Sequence, residues 1–205
     1  MPMITETPIR SEPAEPPRKR WTRAECEALA ASGLWDNQRL ELIEGDLIAK
    51  MPKKRPHSII VALLYEWLAS VFGMRFVNQE AALDVAPEDN PTNEPEPDLI
   101  VLTRTLSFFA AGYPKPGDLH LVVEVSDSTL RFDLSTKADL YSRAEIREYW
   151  VVDVAGRRIV VHRDPGGGRY RSITAYSEEE FVAPLASPAA RLRVRDIFPE
   201  PPPQA

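Results

Sequence analysis

Cysteine and long apolar runs are both scarce in this sequence. It contains a single cysteine, Cys26, which excludes an internal disulfide and fits a reducing compartment. Every apolar run falls short of the length that a membrane-spanning helix needs, and residues 1–20 lack the apolar stretch of a secretory signal. We therefore expect a cytoplasmic protein with no membrane partner.

Positive charge is also in deficit. The 25 lysines and arginines are outnumbered by 31 aspartates and glutamates, which gives a formal net charge of −6. General attraction of the whole protein to nucleic acid or to an anionic membrane is therefore excluded, and a polyanion has to meet a local basic patch. The densest patch in the sequence consists of Lys50, Lys53, Lys54 and Arg55.

Proline is abundant and is concentrated near the ends of the chain. Residues 1–20 and 199–205 are rich in proline, and we predict that both are disordered tails. The length of 205 residues allows one domain with a sizeable core, and the sequence contains no visible internal repeat. Residues 21–198 are therefore predicted to form a single domain.

Hydrophobic periodicity and turn signals predict both helices and strands inside this domain. A capping box at Thr22 starts a first helix, and Glu44-Gly45 marks the turn of a hairpin. Apolar spacing predicts helices over 56–72 and about 130–144. Further strands are predicted at 75–80, 82–85, 97–102, 121–125 and 148–153, with a meander over 158–175. This order predicts the α/β (α+β) class, in which one mixed sheet is flanked by helices and extended by the antiparallel meander.

Two carboxylates stand out in the middle of the chain. Asp98 opens a short apolar strand, and Glu124 lies within the valine-rich strand Leu121–Val125. Burial of an ionised carboxylate is costly unless the group is paired or bound to a metal. If the two strands are antiparallel neighbours, the start of one lies beside the end of the other, and the two carboxylates converge.

A lysine on the following helix completes the candidate site. Lys137 shares a helix face with Asp133 and Tyr141. Two oxygen ligands with a nearby amine are the parts of a hydrolytic site for Mg²⁺, in which the metal acidifies its bound water and the lysine orients that water or neutralises charge. Two simpler pairings stay open: a buried salt bridge between Glu124 and Lys137, and a helical pair of Asp133 with Lys137.

These motifs resemble those of a known group of nucleases. Pro97-Asp98, Glu124-Val125-Ser126 and a helical Lys137 look like the PD-(D/E)XK nuclease superfamily, which has the restriction-endonuclease-like fold. Over about residues 20–198 the chain resembles, more narrowly, the Uma-two family, uncharacterised proteins often described as restriction endonucleases. The motifs that carry this resemblance are Leu40-Glu41-Leu42-Ile43-Glu44-Gly45, His57, Pro97-Asp98-Leu99, Glu124-Val125-Ser126-Asp127-Ser128-Thr129, Lys137, Tyr141 and Glu148-Tyr149-Trp150-Val151-Val152-Asp153.

The resemblance implies a role for each central residue. It implies that Asp98, Glu124 and the backbone carbonyl of Val125 bind Mg²⁺, with Mn²⁺ as a substitute. It also implies that Lys137 acts on the attacking water. The superfamily usually has its lysine two residues after the acid, where this chain has Ser126, so Lys137 has to reach the same place from the helix.

Further residues are candidates for the edge of the site. The hairpin offers an additional acidic ligand, either Glu41 or Glu44, and we favour Glu41 as the catalytic one. His57, Ser126 and Tyr141 are supporting candidates by the same resemblance. His57 also fits a surface or capping position in the first turn of its helix, and Tyr141 also fits a core position.

Two functions compete. The first is a Mg²⁺-dependent endonuclease that hydrolyses phosphodiester bonds in DNA, and nucleases of this fold are often homodimers that cut both strands. The second is a catalytically weak or inactive nuclease-fold module that binds nucleic acid or protein, which the acidic net charge favours. A metal-independent small-molecule hydrolase has no support, because the chain has no Gly-x-Ser-x-Gly elbow and Cys26 has no evident base.

Overall fold

The computed structural model describes residues 18–33, 38–50 and 52–199. The predicted tails therefore lie outside the described residues, except for 18–20 and 199. The helices are α1 (Arg23–Ala31), α2 (Arg55–Phe72), α3 (Leu130–Phe132) and α4 (Ala138–Arg143), and a π-helical segment, Asp133–Lys137, joins α3 to α4 and is called the π turn below. The strands are β1 (Leu40–Ile43), β2 (Asp46–Ala49), β3 (Val77–Gln79), β4 (Leu99–Leu102), β5 (Leu119–Ser126), β6 (Glu148–Asp153), β7 (Arg158–Gly166), β8 (Arg169–Tyr176), β9 (Phe181–Val182) and β10 (Leu192–Arg193). In these ranges no helix combines the length and the apolar character that crossing a membrane requires.

A six-stranded mixed sheet with the order β3-β4-β5-β6-β7-β8 forms the centre of the fold. Neighbouring strands are antiparallel except for β5 and β6, which are parallel and are connected through α3, the π turn and α4. The β1–β2 hairpin and the β9–β10 pair are separate two-stranded sheets. The predicted class, the mixed sheet and the antiparallel meander are thus confirmed.

Each face of the central sheet packs against a helix, and β5 contributes side chains to both faces. Val123 and Val125 belong to the core that contains α2, whereas Val122 belongs to the core that contains α4. Side chains alternate along a strand, so Glu124 and Ser126 lie on the α4 side with Val122. The same packing that buries the valines therefore also buries the Glu124 carboxylate, which is 5% exposed.

Local signals place α1 and the hairpin as predicted. Thr22 caps α1 in a capping box, in which its side chain accepts from the Glu25 amide and the Glu25 side chain accepts from the Thr22 amide. Glu44 and Gly45 have φ values of 53° and 74°, and a two-residue hairpin turn needs this left-handed pair. These elements follow from short stretches of sequence and need no tertiary information.

The strand predicted at 82–85 is wrong. These residues join no sheet of the described chain, and the Leu83 amide donates instead to the Pro95 carbonyl at 3.1 Å. The ladder of β3 ends at Gln79, and Glu80, with a φ of 48°, turns the chain away from it. The alternating apolar pattern at 82–85 arises because Leu83 and Val85 are buried in the core that contains α4, and not because these residues pair as a strand.

Candidate active site

A cleft of about 240 Å³ lies at the end of the sheet where β4 begins and β5 ends. The two strands are antiparallel, with Leu99 opposite Val123, which meets the condition under which the two carboxylates are expected to converge. This register brings Asp98, just before β4, to the end of β5. Asp98, Glu124 and Lys137 all line the cleft, so the structure brings together the three central residues of the predicted site.

Asp98 is held by three donors. Its Oδ2 accepts a hydrogen bond from the Val125 amide at 2.8 Å and lies 3.3 Å from His57 Nε2, while its Oδ1 accepts from Lys53 Nζ at 2.8 Å. Burial alone raises the pKa of Asp98, but the hydrogen bond and charge of His57, and then those of Lys53, outweigh burial and lower the pKa well below its usual value. Asp98 is therefore ionised at neutral pH, as a metal ligand has to be.

Glu124 and Lys137 form a buried ion pair. Lys137 Nζ lies 2.8 Å from Glu124 Oε1 and 2.9 Å from Glu41 Oε1. The Tyr141 hydroxyl donates to the same Glu124 oxygen at 3.1 Å. The salt bridge that the sequence left open as an alternative to metal binding is thus present, and it satisfies Glu124 Oε1 without a metal.

Burial and the surrounding charges set the pKa values of this pair. Burial raises the pKa of Glu124, the positive charge of Lys137 opposes this rise, and the charges of the neighbouring carboxylates add to it. For Lys137, burial lowers the pKa, but the charges of Glu124 and Glu41 outweigh burial and raise the pKa above its usual value. Lys137 is therefore a charged hydrogen-bond donor at neutral pH rather than a base.

The π turn delivers Lys137 to the cleft. Asp133 begins this turn, and its Oδ2 accepts hydrogen bonds from the hydroxyls of Ser126 at 2.7 Å and Thr129 at 2.5 Å. The Tyr149 hydroxyl donates to the Asp133 backbone carbonyl at 3.1 Å. Ser126, two residues after Glu124, thus binds the segment that supplies the lysine. π-helical bulges within α-helices are frequent at functional sites.

The hairpin contributes one of its two predicted acids to the cleft. Glu41 is 4% exposed, and its Oε1 forms the ion pair with the Lys137 ammonium and accepts a hydrogen bond from the Glu96 amide at 2.8 Å. Glu44 lies in the hairpin turn, where it is exposed and pairs with Arg143. Glu41 lines the cleft, and the structure does not bring Glu44 to it.

The supporting candidates take different places. His57 is buried in the first turn of α2 against Asp98, and Tyr141 is buried against Glu124, so each contacts a predicted metal ligand. The Ser126 hydroxyl donates to Asp133 and thereby ties the start of the π turn to β5. Sequence patterns alone do not predict two contacts of the site, which are the contact of Lys53 with Asp98 and the contact of Thr129 with Asp133. The spacing of Thr129 and Asp133 by four residues is a usable signal, since residues at this spacing are neighbours on a helix.

Three residues of the basic patch, Lys50, Lys53 and Lys54, line the rim of the cleft, and acids lie beside them. Lys50 pairs with Glu96 and Lys54 pairs with Asp127, each at 2.9 Å. The rim is therefore a surface of mixed charge. A phosphate that approaches it meets carboxylates as well as lysines, and a bound cation would make the approach more favourable.

The donor atoms of the cleft fit a hard divalent cation. The described hydrogen bonds to the Glu124 carboxylate both end on Oε1, which leaves Oε2 for another ligand. The Val125 amide points at Asp98, and because the amide and carbonyl of a strand residue point to the same side, the Val125 carbonyl faces this side of β5 as well. In the described part of the chain, no group of three or more His, Cys, Asp and Glu side chains is arranged to hold a metal. The predicted ligand set has two such side chains and a carbonyl.

Comparison with known proteins gives a family and a fold. The chain matches the model of the Uma2 family (Uma-two in the sequence analysis), described as "Putative restriction endonuclease", over residues 24–195. No curated protein matches the sequence. A solved structure from Anabaena variabilis, titled as "a putative nuclease belonging to DUF820", has a similar fold with a TM-score of 0.63 and 16% identity, over 78% of this chain and 90% of that one.

Proposed function

Since the chain belongs to the Uma2 family, we propose that it is a Mg²⁺-dependent endonuclease that hydrolyses phosphodiester bonds in DNA. The family and the nuclease-like fold support a nuclease function, and the family implies a nucleic-acid substrate. The observation that carries the finer proposal is the meeting of Asp98, Glu124 and Lys137 in one cleft, although they are far apart in the sequence.

Each residue has a definite task in this proposal. Asp98 Oδ1, Glu124 Oε2 and the Val125 carbonyl would hold the metal, and Mn²⁺ can replace Mg²⁺ with the same oxygen ligands. The metal, when bound, acidifies water and stabilises charge on the phosphate. The Lys137 ammonium donates hydrogen bonds to the attacking water or to the phosphate oxygens, where it neutralises developing charge. Glu41 holds that ammonium in place.

The substrate and the assembly follow from the same chemistry. In this proposal Lys50, Lys53 and Lys54, which line the cleft, contact the phosphate backbone, and the acids beside them make binding depend on a cation and on ionic strength. The described residues of each chain form one candidate cleft, so the cutting of both strands of a duplex requires two chains or two binding events. A homodimer is therefore part of the proposal.

One observation favours a second candidate, an inactive nuclease-fold module that binds nucleic acid or protein. Lys53 and Lys137 already neutralise the two carboxylates on which metal binding would depend. A buried ion pair with good hydrogen bonds persists in a protein without any catalytic role.

A cleavage assay separates the two candidates. Wild-type protein is incubated with supercoiled plasmid in Mg²⁺, in Mn²⁺ and in a chelator, beside Glu124→Ala and Lys137→Ala. We expect nicking or linearisation only with a divalent ion, and a loss of at least about a hundredfold in each variant, the usual size for removal of one charge-stabilising group. Glu44→Ala, which removes a hairpin acid outside the cleft, is the matched control and should cut like the wild type. Cleavage that neither site variant reduces would remove the assignment of the site.

A further inference from the structure

The two oxygens of Asp98 have different partners. Oδ2 is tied to the Val125 amide and to His57, which are fixed parts of β5 and α2. Oδ1 accepts from Lys53 Nζ at 2.8 Å, and Lys53 belongs to the irregular segment before α2. The Lys53 side chain is 25% exposed, compared with 5% for Lys137. Asp98 Oδ1 is thus covered by a long, partly exposed side chain from an irregular segment.

A second carboxylate, that of Glu80, also contacts the Lys53 ammonium. Glu80 contacts Lys53 Nζ through one carboxylate oxygen, and its other oxygen accepts from Arg39 at 2.5 Å. Glu80 has a φ of 48°, an uncommon conformation for a residue with a side chain, and its amide donates to the Asp98 carbonyl at 3.3 Å. The backbone therefore fixes Glu80 beside Asp98, and the hydrogen bond from Arg39 orients its carboxylate.

We propose that Lys53 is a tethered cation that occupies the metal position on Asp98 in the metal-free protein, and that a divalent ion displaces it onto Glu80. The inference rests on the proposed function, because it takes Asp98 Oδ1 as a metal ligand. A Mg²⁺ ion binds oxygen at about 2.0–2.1 Å, so an ammonium on the same oxygen would be a close positive neighbour. The displaced ammonium keeps its ion pair with Glu80, and the exchange removes one contact rather than leaving an unpaired charge.

The other lysines of the cleft do not stand in this position. Lys50 and Lys54 pair with Glu96 and Asp127, neither of which is a predicted metal ligand. Lys137 contacts Oε1 of Glu124 and leaves Oε2 for the metal. Lys53 is therefore the lysine whose removal should strengthen metal binding beyond the general effect of losing one positive charge, and Lys54 is the matched control for that general effect.

Titration of the full chain with MnCl₂ by isothermal calorimetry tests the proposal without any measurement of cleavage. We expect Lys53→Met to bind Mn²⁺ about tenfold more tightly than the wild type, and Lys54→Met to change the affinity by less than about threefold. Glu80→Gln should weaken binding, because the displaced ammonium then has no second acid. In the Lys53→Met background the same Glu80→Gln change should have a smaller effect.

The outcomes separate this proposal from the function on which it rests. If the wild type binds Mn²⁺ and Lys53→Met binds it no more tightly than Lys54→Met does, the displacement is wrong and the metal site stands. If neither the wild type nor Lys53→Met binds Mn²⁺, both the displacement and the metal-dependent function are wrong. Lys53→Gln, compared with Lys53→Met and checked for folding by circular dichroism, guards against a packing effect of the methionine.

Discussion

The Lys137 ammonium is surrounded by buried carboxylates. Glu41 and Glu124 both contact its ammonium, and the charge of Asp133 acts on it as well. One buried cation thus compensates several buried carboxylates. Removal of one member of a buried charged cluster leaves the others unpaired, which costs far more than the loss of a surface pair.

Substitution of Lys137 is therefore expected to destabilise the protein as well as to inactivate it. We expect Lys137→Met to lower the free energy of unfolding by about 3–5 kcal/mol, the range for a broken buried ion pair. The double variant Glu124→Gln/Lys137→Met should recover a large part of this loss, since it removes one of the stranded carboxylates. Urea unfolding followed by circular dichroism measures all three free energies.

Lys54→Met is the control for this prediction. Lys54 pairs with Asp127, but its side chain is 69% exposed, so its loss should cost less than about 1 kcal/mol. If Lys137→Met were as mild as Lys54→Met, the carboxylates around Lys137 would have to be protonated or hydrated in the folded protein. The loss of cleavage in a Lys137 variant should be read only at a temperature where the variant is folded.

His162 is expected to make stability depend on pH. It is 1% exposed, and its ring lies 5.3 Å from that of Tyr149 and 5.6 Å from that of Tyr170. Burial lowers its pKa from 6.5, so the unfolded chain binds more protons than the folded chain as the pH falls below that value. The stability contributed by the neutral ring is therefore present above pH 6.5 and is lost as the pH falls through the folded pKa.

The variant His162→Phe should show a smaller fall in the free energy of unfolding than the wild type over about pH 7 to 5. The phenyl ring can occupy the space between the tyrosines and has no proton to gain. Urea unfolding of the two proteins at several pH values isolates this residue, because the other titrating groups are common to both. Parallel curves for the two proteins would show that His162 is not held neutral by the fold.

At the scale of elements, local sequence signals predict the turns and helix caps, whereas tertiary contacts determine which residues pair as strands and which side chains reach the cleft. The capping box at Thr22 and the Glu44-Gly45 turn could be predicted because their partners lie within a few residues. The choice between Glu41 and Glu44 depends on where Lys137 arrives from a distant helix. The strand predicted at 82–85 fails because an alternating pattern indicates burial of one face, which a loop over a core can also provide.

The π turn could not be predicted for a related reason. Its sequence favours a regular helix. The residues that hydrogen-bond to Asp133 at its start include Ser126 on β5 and Tyr149 on β6, which are outside the helix. The contact between Asp98 and Lys53 cannot be predicted from the sequence either, because Lys53 lies in an irregular segment far from Asp98 along the chain. The residue pattern and the family resemblance together predict the central residues of the site, whereas the contacts that orient these residues are seen only in the structure.

Loss of the Asp133 carboxylate should affect Lys137 in two ways, because this carboxylate holds the π turn and also lines the cleft, where its charge acts on Lys137. Asp133→Asn removes the charge that accepts two hydroxyl hydrogen bonds, and we expect a loss of about 1–3 kcal/mol in the free energy of unfolding. Because the turn sets the direction of Lys137, cleavage should fall too. Urea unfolding and the plasmid assay measure the two effects.

Ser135 offers a control inside the same turn. It is exposed, and its hydroxyl donates to the Arg131 carbonyl at 2.6 Å. Ser135→Ala should change the free energy of unfolding by less than about 0.5 kcal/mol and leave cleavage unchanged. If Asp133→Asn behaved in the same way, the hydroxyl contacts of Ser126 and Thr129 would not be what holds the turn.

At the scale of the whole molecule, the cleft exists only when distant segments are assembled. Glu41 comes from β1, Asp98 from the start of β4, Glu124 from β5 and Lys137 from the π turn. The cleft lies at the carboxyl end of β5, and the parallel strand β6 ends at the same edge of the sheet. An unfolded chain holds none of these groups together, so a ligand of the cleft binds the folded state and raises the free energy of unfolding.

Mn²⁺ is therefore expected to stabilise the folded protein against urea. At a concentration a hundredfold above the dissociation constant, the gain in the free energy of unfolding is about 2.7 kcal/mol for one site. Asp98→Asn and Glu124→Gln should lose this gain, whichever way each substitution changes the stability of the metal-free protein. Glu44→Gln removes an exposed acid outside the cleft and should keep the full gain. An equal gain in Glu124→Gln and the wild type would place the bound metal on the acidic surface instead of between β4 and β5.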